Sequence, residues 1–399
     1  MKKKILFSIM LSIVVSALTL FQGAVGYAGE VKGVSEDTIK IGFILDLTGP
    51  TAGTWRPIYE GVRNYWRFVN DQGGIHGRKI TILPEDDRYT IPMAVAAFKK
   101  LVHKDEVLAF QALGSTGSHI ALFSKVAKEK TPVITPVITE TIATPTKRYF
   151  FLTSSTYQDA IGVIMDYIMR EMKAKNPKIA YVSSDTEWGK TGLRAVIKNA
   201  ERYKLRPVHT EILGIGALDA TTQALSLNRA KVDFIVIQHI VETAALLLRE
   251  MKRYKIDIPV FGTVYTASEE MIEMAGEGAR NFYAVHPCSS WNEDNPGMAQ
   301  LREISLKYQP EKKFQSRIYA SGWIAALIFA EGIKRAGRNL TNESLVDALE
   351  TIKDLETGIS GPVTFGPDKH KSTDYCKLFK TDLNKKLLVP VGGWRRPGQ

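Results

Sequence analysis

Two short polar clusters carry the hydroxyls and small residues that can hold an anion. Gly114-Ser115-Thr116-Gly117 follows the apolar run Val107 to Leu113, and Thr135-Pro136-Val137-Ile138-Thr139 follows Pro132-Val133-Ile134. Both apolar runs read as strands, and polar residues at the carboxyl ends of neighbouring parallel strands are where an open α/β sheet binds small ligands. Thr116-Gly117-Ser118 also opens a helical stretch, whose unpaired N–H groups and dipole favour an anion without an arginine. Helix capping by Thr116 or Ser118 is the plainer account of those hydroxyls.

Nothing comparable points to a reaction centre. The spacing of Gly114 to Gly117 is not that of a Gly-x-Ser-x-Gly elbow. The seven histidines form no His-x-x-x-His pair, there is no Cys-x-x-Cys, and Gly214-Ile215-Gly216 and Gly276-Glu277-Gly278 each lack the third glycine of a dinucleotide fingerprint. Asp86-Asp87 and Glu269-Glu270 are consecutive acids, which point apart and suit capping or solvent. The chain is therefore expected to bind rather than catalyse, with no catalytic residue, metal or cofactor.

The elements that would position these clusters alternate regularly. Strands are expected at Ile39 to Asp46, Lys79 to Asp86, Val107 to Leu113, Pro132 to Thr135 and Tyr149 to Thr153. Between them fall helices over the Val62, Tyr65, Trp66, Val69 face, Pro92 to Val102 and Ser118 to Lys128. The alternation restarts with a helix near Tyr157 to Met172, then strands Lys178 to Ser183, Arg206 to Leu213, Asp233 to Gln238, Pro259 to Thr263 and Asn281 to His286, separated by helices. Helical stretches Tyr319 to Gly337 and Asn342 to Ile352 follow, and two strands near Tyr375 and Leu387 end the chain. This is an α/β fold of two doubly wound parallel-sheet lobes joined by a multi-crossing hinge. The expected division is 1–28 as a signal peptide, 29–152 plus about 288–365 as lobe 1, and 153–287 plus about 366–399 as lobe 2. A ligand would sit in the cleft between the lobes.

Lys2-Lys3-Lys4, the apolar stretch Ile5 to Phe21 and the small residues Gly26-Tyr27-Ala28 read as a cleaved secretory signal. A retained anchor is the rival, against which the apolar run is shorter than the ~20 residues of a spanning helix. The expected location is the periplasm, with no membrane insertion after cleavage. The formal charge of +11 includes those three lysines. The remaining cations are scattered among acids, which suits a solvated basic surface better than a nucleic-acid partner. Cys288 and Cys376 are the only cysteines, and an oxidising compartment would let them pair.

Several separate motifs carry a family resemblance. Ile39-Lys40-Ile41-Gly42 to Leu47-Thr48-Gly49-Pro50, Asn70-Asp71-Gln72-Gly73-Gly74-Ile75-His76-Gly77-Arg78, Thr131 to Pro136, Glu187-Trp188-Gly189 and Gly361-Pro362-Val363-Thr364-Phe365 resemble the leucine/isoleucine/valine-binding family of periplasmic solute receptors. The resemblance spans the mature chain. It implies a type I periplasmic binding protein that closes on a small solute and delivers it to the transmembrane subunits of an ATP-binding-cassette permease; a monomer is expected, though nothing in the sequence speaks to dimerisation. A ligand sensor for a separate membrane receptor would use the same cleft. Carried onto this chain, the family's carboxylate site falls on Thr116 and Thr139, with Val137 contributing backbone, and its cleft-lining aromatic falls on Trp188; Ser115, beside Thr116, is a further ligand-binding candidate.

The departures bear on the solute. The acid that pairs the ligand ammonium in amino-acid receptors is replaced by Val264, in Phe261-Gly262-Thr263-Val264-Tyr265, and Ile240-Val241 stand where tyrosines are common. An ammonium buried without its partner costs about 3 to 5 kcal/mol. The loop Thr54-Trp55-Arg56-Pro57 is bulkier than the family's usual one. An aromatic, an arginine, hydroxyls and aliphatic walls suit a carboxylate with an apolar, for instance aromatic, body. The alternative is a hydrophobic amino acid. Trp55, Arg56, Tyr157, Tyr265 and Tyr319 complete the candidate residues, with Arg56 either pairing the carboxylate or facing solvent.

Overall fold

The computed structural model describes residues 31–205 and 209–399; the expected signal peptide and the start of the strand expected at Arg206 lie outside them. The first sheet holds β1 (Thr38–Leu45), β2 (Lys79–Asp86), β3 (Ala109–Leu113), β4 (Val133–Thr135) and β5 (Phe150–Leu152). It runs β2-β1-β3-β4-β5 with every pairing parallel. The crossovers are α1 (Ala52–Asp71), α2 (Ile91–His103), α3 (Thr116–Glu129) and the single turn α4 (Glu140–Ala143). Strands β3, β4 and β5 are buried on both faces, which is why their sequences are apolar without alternation.

The chain then enters a second sheet through α5 (Tyr157–Asp166), which ends in a π turn over Tyr167–Glu171. There follow β6 (Ile179–Ser183), α6 (Glu187–Arg202), β7 (His209–Ile212), α7 (Thr221–Ala230), β8 (Phe234–Gln238), α8 (Val241–Arg253), β9 (Val260–Gly262), α9 (Glu270–Ala275) and β10 (Phe282–His286). After β10 the chain returns: α10 (Pro296–Tyr308) and α11 (Arg317–Ala336) pack on α1, and α12 (Asn342–Glu350) packs on α11. It crosses a third time into β11 (Lys377–Asp382) and β12 (Leu387–Pro390), giving the order β12-β11-β10-β9-β8-β6-β7. The last two strands pair antiparallel, unlike the rest. A tight turn over 383–386 cannot join parallel neighbours.

Helix α10 is not among the sequence expectations. Asn295-Pro296-Gly297 looks like a turn, yet Asn295 accepts from the Met298 N–H at 2.9 Å and Pro296 occupies the first helical turn. No helix among the described residues is long and apolar enough to cross a membrane.

The expected disulfide is absent. Both cysteines are free, buried thiols, with Cys376 Sγ 2.9 Å from Ser155 Oγ and Cys288 Sγ 3.9 Å from Ser321 Oγ. Beyond the β10–β11 ladder Cys288 bridges to Ser360 and Cys376 to Arg395, and each sulfur lies against a serine hydroxyl rather than the other sulfur. Burial pushes both thiols up to about 12, which keeps them protonated.

Two contacts fix how the returning helices sit. Helices α1 and α11 cross where a Cβ on Gly61 would fall 2.2 Å from the Tyr319 carbonyl, and one on Gly322 would fall 2.0 Å from the Ile58 carbonyl. At the start of α11, the buried Arg317 donates to both Glu269 carboxylate oxygens at 2.9 and 3.1 Å and to the Leu388 carbonyl at 2.9 Å. It thereby ties the helix packed on α1 to the second sheet. Gly61→Val should force the crossing apart and lower stability by about 3 kcal/mol, read as a fall in urea midpoint; an unchanged midpoint would contradict the close approach.

Candidate functional site

The carboxyl ends of both sheets face one another, and the loops leaving them line a cavity. From the first sheet come Thr51, Thr54 and Trp55 after β1, Tyr89 after β2, Ser115 and Thr116 after β3, and Val137 after β4. Tyr157 stands at the crossover, and Trp188, Ile240 and Tyr265 follow β6, β8 and β9. No charged side chain is among these lining residues. The cavity is narrow, about 30 Å³, so a ring-sized ligand enters only as the loops part.

Each first-sheet loop is held by its own hydrogen bonds. Asp46 accepts from Gly49 N–H at 2.5 Å, Thr51 N–H at 2.8 Å and Thr51 Oγ1 at 2.7 Å, which closes the turn that feeds α1. Ser115, rather than Thr116 or Ser118, caps α3: its Oγ accepts from Ser118 N–H at 3.1 Å. That leaves the N–H groups of Thr116 and Gly117 and the helix dipole for a ligand.

The Ser115 and Val137 loops are joined through His119. Its ring nitrogens stand 2.9 Å from the Ser115 carbonyl and 3.0 Å from Thr135 Oγ1, which in turn accepts from Val137 N–H at 3.1 Å. Nδ1–H donates to the Ser115 carbonyl, and Nε2 accepts from the Leu113 N–H at 3.4 Å and from the Thr135 hydroxyl, which is the pattern of the neutral ring. Burial depresses this imidazole to about 4. His239 is depressed to about 4 for the same reason; its Nδ1 accepts from Ile240 N–H at 3.1 Å, and its Nε2–H donates to the Leu213 carbonyl at 2.9 Å. His239 thus sets the Ile240 wall as His119 sets the opposite one.

Contacts cross the cleft at several points. Tyr157, at the crossover, lines the cavity together with Thr116 and Tyr265. Tyr265 packs edge-on against Tyr157 and Trp188, at centroid distances of 6.4 and 5.7 Å, and burial lifts its phenol to about 12. Tyr89, held at φ 61°, lines the same cavity as Trp188 of α6. At the rim, the Glu242 carboxylate comes so close to α1 that a Cβ on Gly53 would fall 2.4 Å from it.

Of the candidate residues, Ser115, Thr116, Val137, Tyr157, Trp188, Tyr265 and Trp55 are gathered around the cavity. Thr139 is fully buried beside it, its hydroxyl without a partner, and caps α4 only by backbone. Val264 is buried in a 3₁₀ turn next to Tyr265. Arg56 turns away, its Nε and Nη2 donating to the Leu47 carbonyl at 3.0 and 2.8 Å. Tyr319 lies in the α1–α11 seam, bonded to Asn64 and Ser305. Thr51 and Tyr89 join the lining without having been singled out, and Thr54 and Ile240, named only for their loops, join it too; Thr51, Tyr89 and Ile240 each follow a strand end, the rule that picked out Ser115 and Thr116.

A family model described as periplasmic binding protein matches residues 38–386. The Leu/Ile/Val-binding protein homolog 3 of Brucella melitensis is 24% identical over 369 residues, 92% of this chain and 96% of that protein. Among solved structures, a branched-chain amino acid ABC transporter protein from Thermus thermophilus with bound valine superposes with a TM-score of 0.84 at 24% identity, covering 91% of this chain and 97% of that one. A fatty acid ABC transporter substrate-binding protein from Thermomonospora curvata gives 0.82 at 24%, covering 92% and 93%. These superpositions match the two-sheet architecture described above.

The neutral histidines predict an acid-sensitive site. Their folded pKa lies below the unfolded 6.5, so unfolding takes up protons, and stability present above pH 6.5 is lost as pH falls toward 4. Each ring accounts for on the order of 3 kcal/mol across that window. Urea titrations at pH 7 and 5 should show the loss, and His119→Gln should reduce the pH slope.

Proposed function

The chain belongs to the periplasmic binding protein family, and on that premise we propose that it is the solute receptor of an ABC importer. In this reading it works in the periplasm, after a cleaved signal, and hands its solute to permease subunits. The solute is a small carboxylate with an apolar, aromatic body. One observation carries this choice: the cavity wall offers hydroxyls, helix N–H groups and aromatic faces, and no acid to pair an ammonium. The carboxylate docks first on the Thr116 end of α3, where two free N–H groups and the dipole meet it. Trp188, Ile240 and Tyr265 then close from the second sheet, exclude water and stack on the apolar body. Thr116 is the hydroxyl best placed to share the carboxylate; Thr139, behind the wall, comes into play only if the Val137 loop shifts.

A hydrophobic amino acid is the second reading, favoured by the valine bound in the Thermus thermophilus protein and the name of the Brucella melitensis relative. Calorimetric titration of the mature protein with benzoate-like acids and with leucine separates the two. The acids should bind and leucine should not; leucine binding at sub-micromolar strength without response to the acids would reverse the assignment. Thr116→Ala should weaken acid binding roughly tenfold or more, the loss of one hydrogen bond to a charged group, with the thermal midpoint nearly unchanged.

A further inference from the structure

A carboxyl group stands directly behind the anion-binding loop. Asp87, just past the end of β2, is fully buried, and its Oδ1 accepts from Tyr89 N–H at 2.9 Å while Oδ2 has no partner among the described residues. Oδ2 lies against the turn that leads into Ser115: a Cβ on Gly114 would fall 1.9 Å from it and 3.4 Å from Ser118 Oγ. Only glycine, here at φ 77°, lets the two loops approach so closely. The residue that Asp87 holds, Tyr89, is itself part of the cavity wall.

The surroundings give Asp87 little to neutralise it. From β1 it faces Asp46, whose oxygens are spent on Gly49 and Thr51. From its own strand it faces Asp86, occupied by Leu47, Thr48 and Arg88. Arg88 lies 3.8 Å from Asp86 with its side chain exposed. From α3 come the Ser118 hydroxyl and the neutral His119, committed to Ser115 and Thr135. Burial, with Asp46 and Asp86 adding repulsion, lifts the Asp87 carboxyl to about 6. At neutral pH the empty receptor therefore holds mostly a carboxylate there, a short way behind the place where a second one would arrive.

We propose that Asp87 is a proton site coupled to the ligand site, so that capture of a carboxylate at the Ser115–Thr116 loop draws a proton onto Asp87. The ligand's charge raises the cost of keeping Asp87 ionised, and linkage then requires that affinity rise as pH falls toward the empty-state value and level off below it. The inference rests on the carboxylate reading of the solute.

Isothermal titration of the mature protein with benzoate, in two buffers of different ionisation heat at pH 7, counts the protons taken up. The expected result is a net uptake, with affinity falling roughly three- to tenfold from pH 6 to pH 8. Asp87→Asn should bind benzoate at every pH as tightly as the wild-type protein does at pH 6, with no proton uptake. Where that variant does not fold, infrared difference spectra of the wild-type protein should gain a protonated-carboxyl stretch on benzoate addition. Benzoate binding without proton uptake or pH dependence overturns the coupling and leaves the solute reading intact. No binding by benzoate or its ring-substituted relatives overturns both. Leucine binding that Asp87→Asn abolishes would make Asp87 the partner of an ammonium, and the coupling would be wrong.

Discussion

A single uncharged imidazole decides the shape of the first-sheet half of the cleft. His119 sits on the first turn of α3 and hydrogen-bonds backward to the Ser115 carbonyl and sideways to Thr135. It therefore holds the loop after β3 and the loop after β4 at a fixed separation. A proton on its second nitrogen would meet the Leu113 N–H, which donates to that nitrogen at 3.4 Å, and would turn the Thr135 hydroxyl from donor to acceptor. Desolvation, which keeps the ring neutral, is thus what keeps two loops from different strands aimed at one point.

The same economy runs through the walls. Asp46, Asp86 and Arg56 are spent on backbone groups of the neighbouring loops, so their charges shape the site without entering it. What remains for a ligand is a helix end, hydroxyls and aromatic faces. A dry site of that kind strengthens each hydrogen bond to a bound anion, and it depends on closure, because most of the aromatic surface comes from the second sheet and the crossover.

Much of this was legible in the chain. Continuous apolar runs bounded by polar clusters marked the parallel strands, and the polar clusters after β3 and β4 marked the part of the cavity wall made by Ser115, Thr116 and Val137. The rest was hidden for identifiable reasons. Asn295-Pro296-Gly297 can start a helix or make a turn, and only tertiary packing decides. Arg56 follows the right loop but sits on the wrong face of α1, since its reach to the Leu47 carbonyl depends on how the turn folds back. Tyr89 enters through two successive residues at positive φ, Arg88 and Tyr89, a conformation no residue pattern announces. The cysteines could be counted but not aimed, and each thiol lies against a serine hydroxyl.

The Arg317–Glu269 pair reaches beyond the cleft. The guanidinium lies on a helix seated against α1, and its carboxylate belongs to the chain around the second sheet, with both side chains nearly dry at 1% and 9% exposure. Removing one partner of such a pair strands the other charge, at a cost of about 3 to 5 kcal/mol. Neither half of the molecule is then a module that can be excised and expressed by itself: cutting the crossovers to isolate one sheet would leave it with an orphaned ion in its interior.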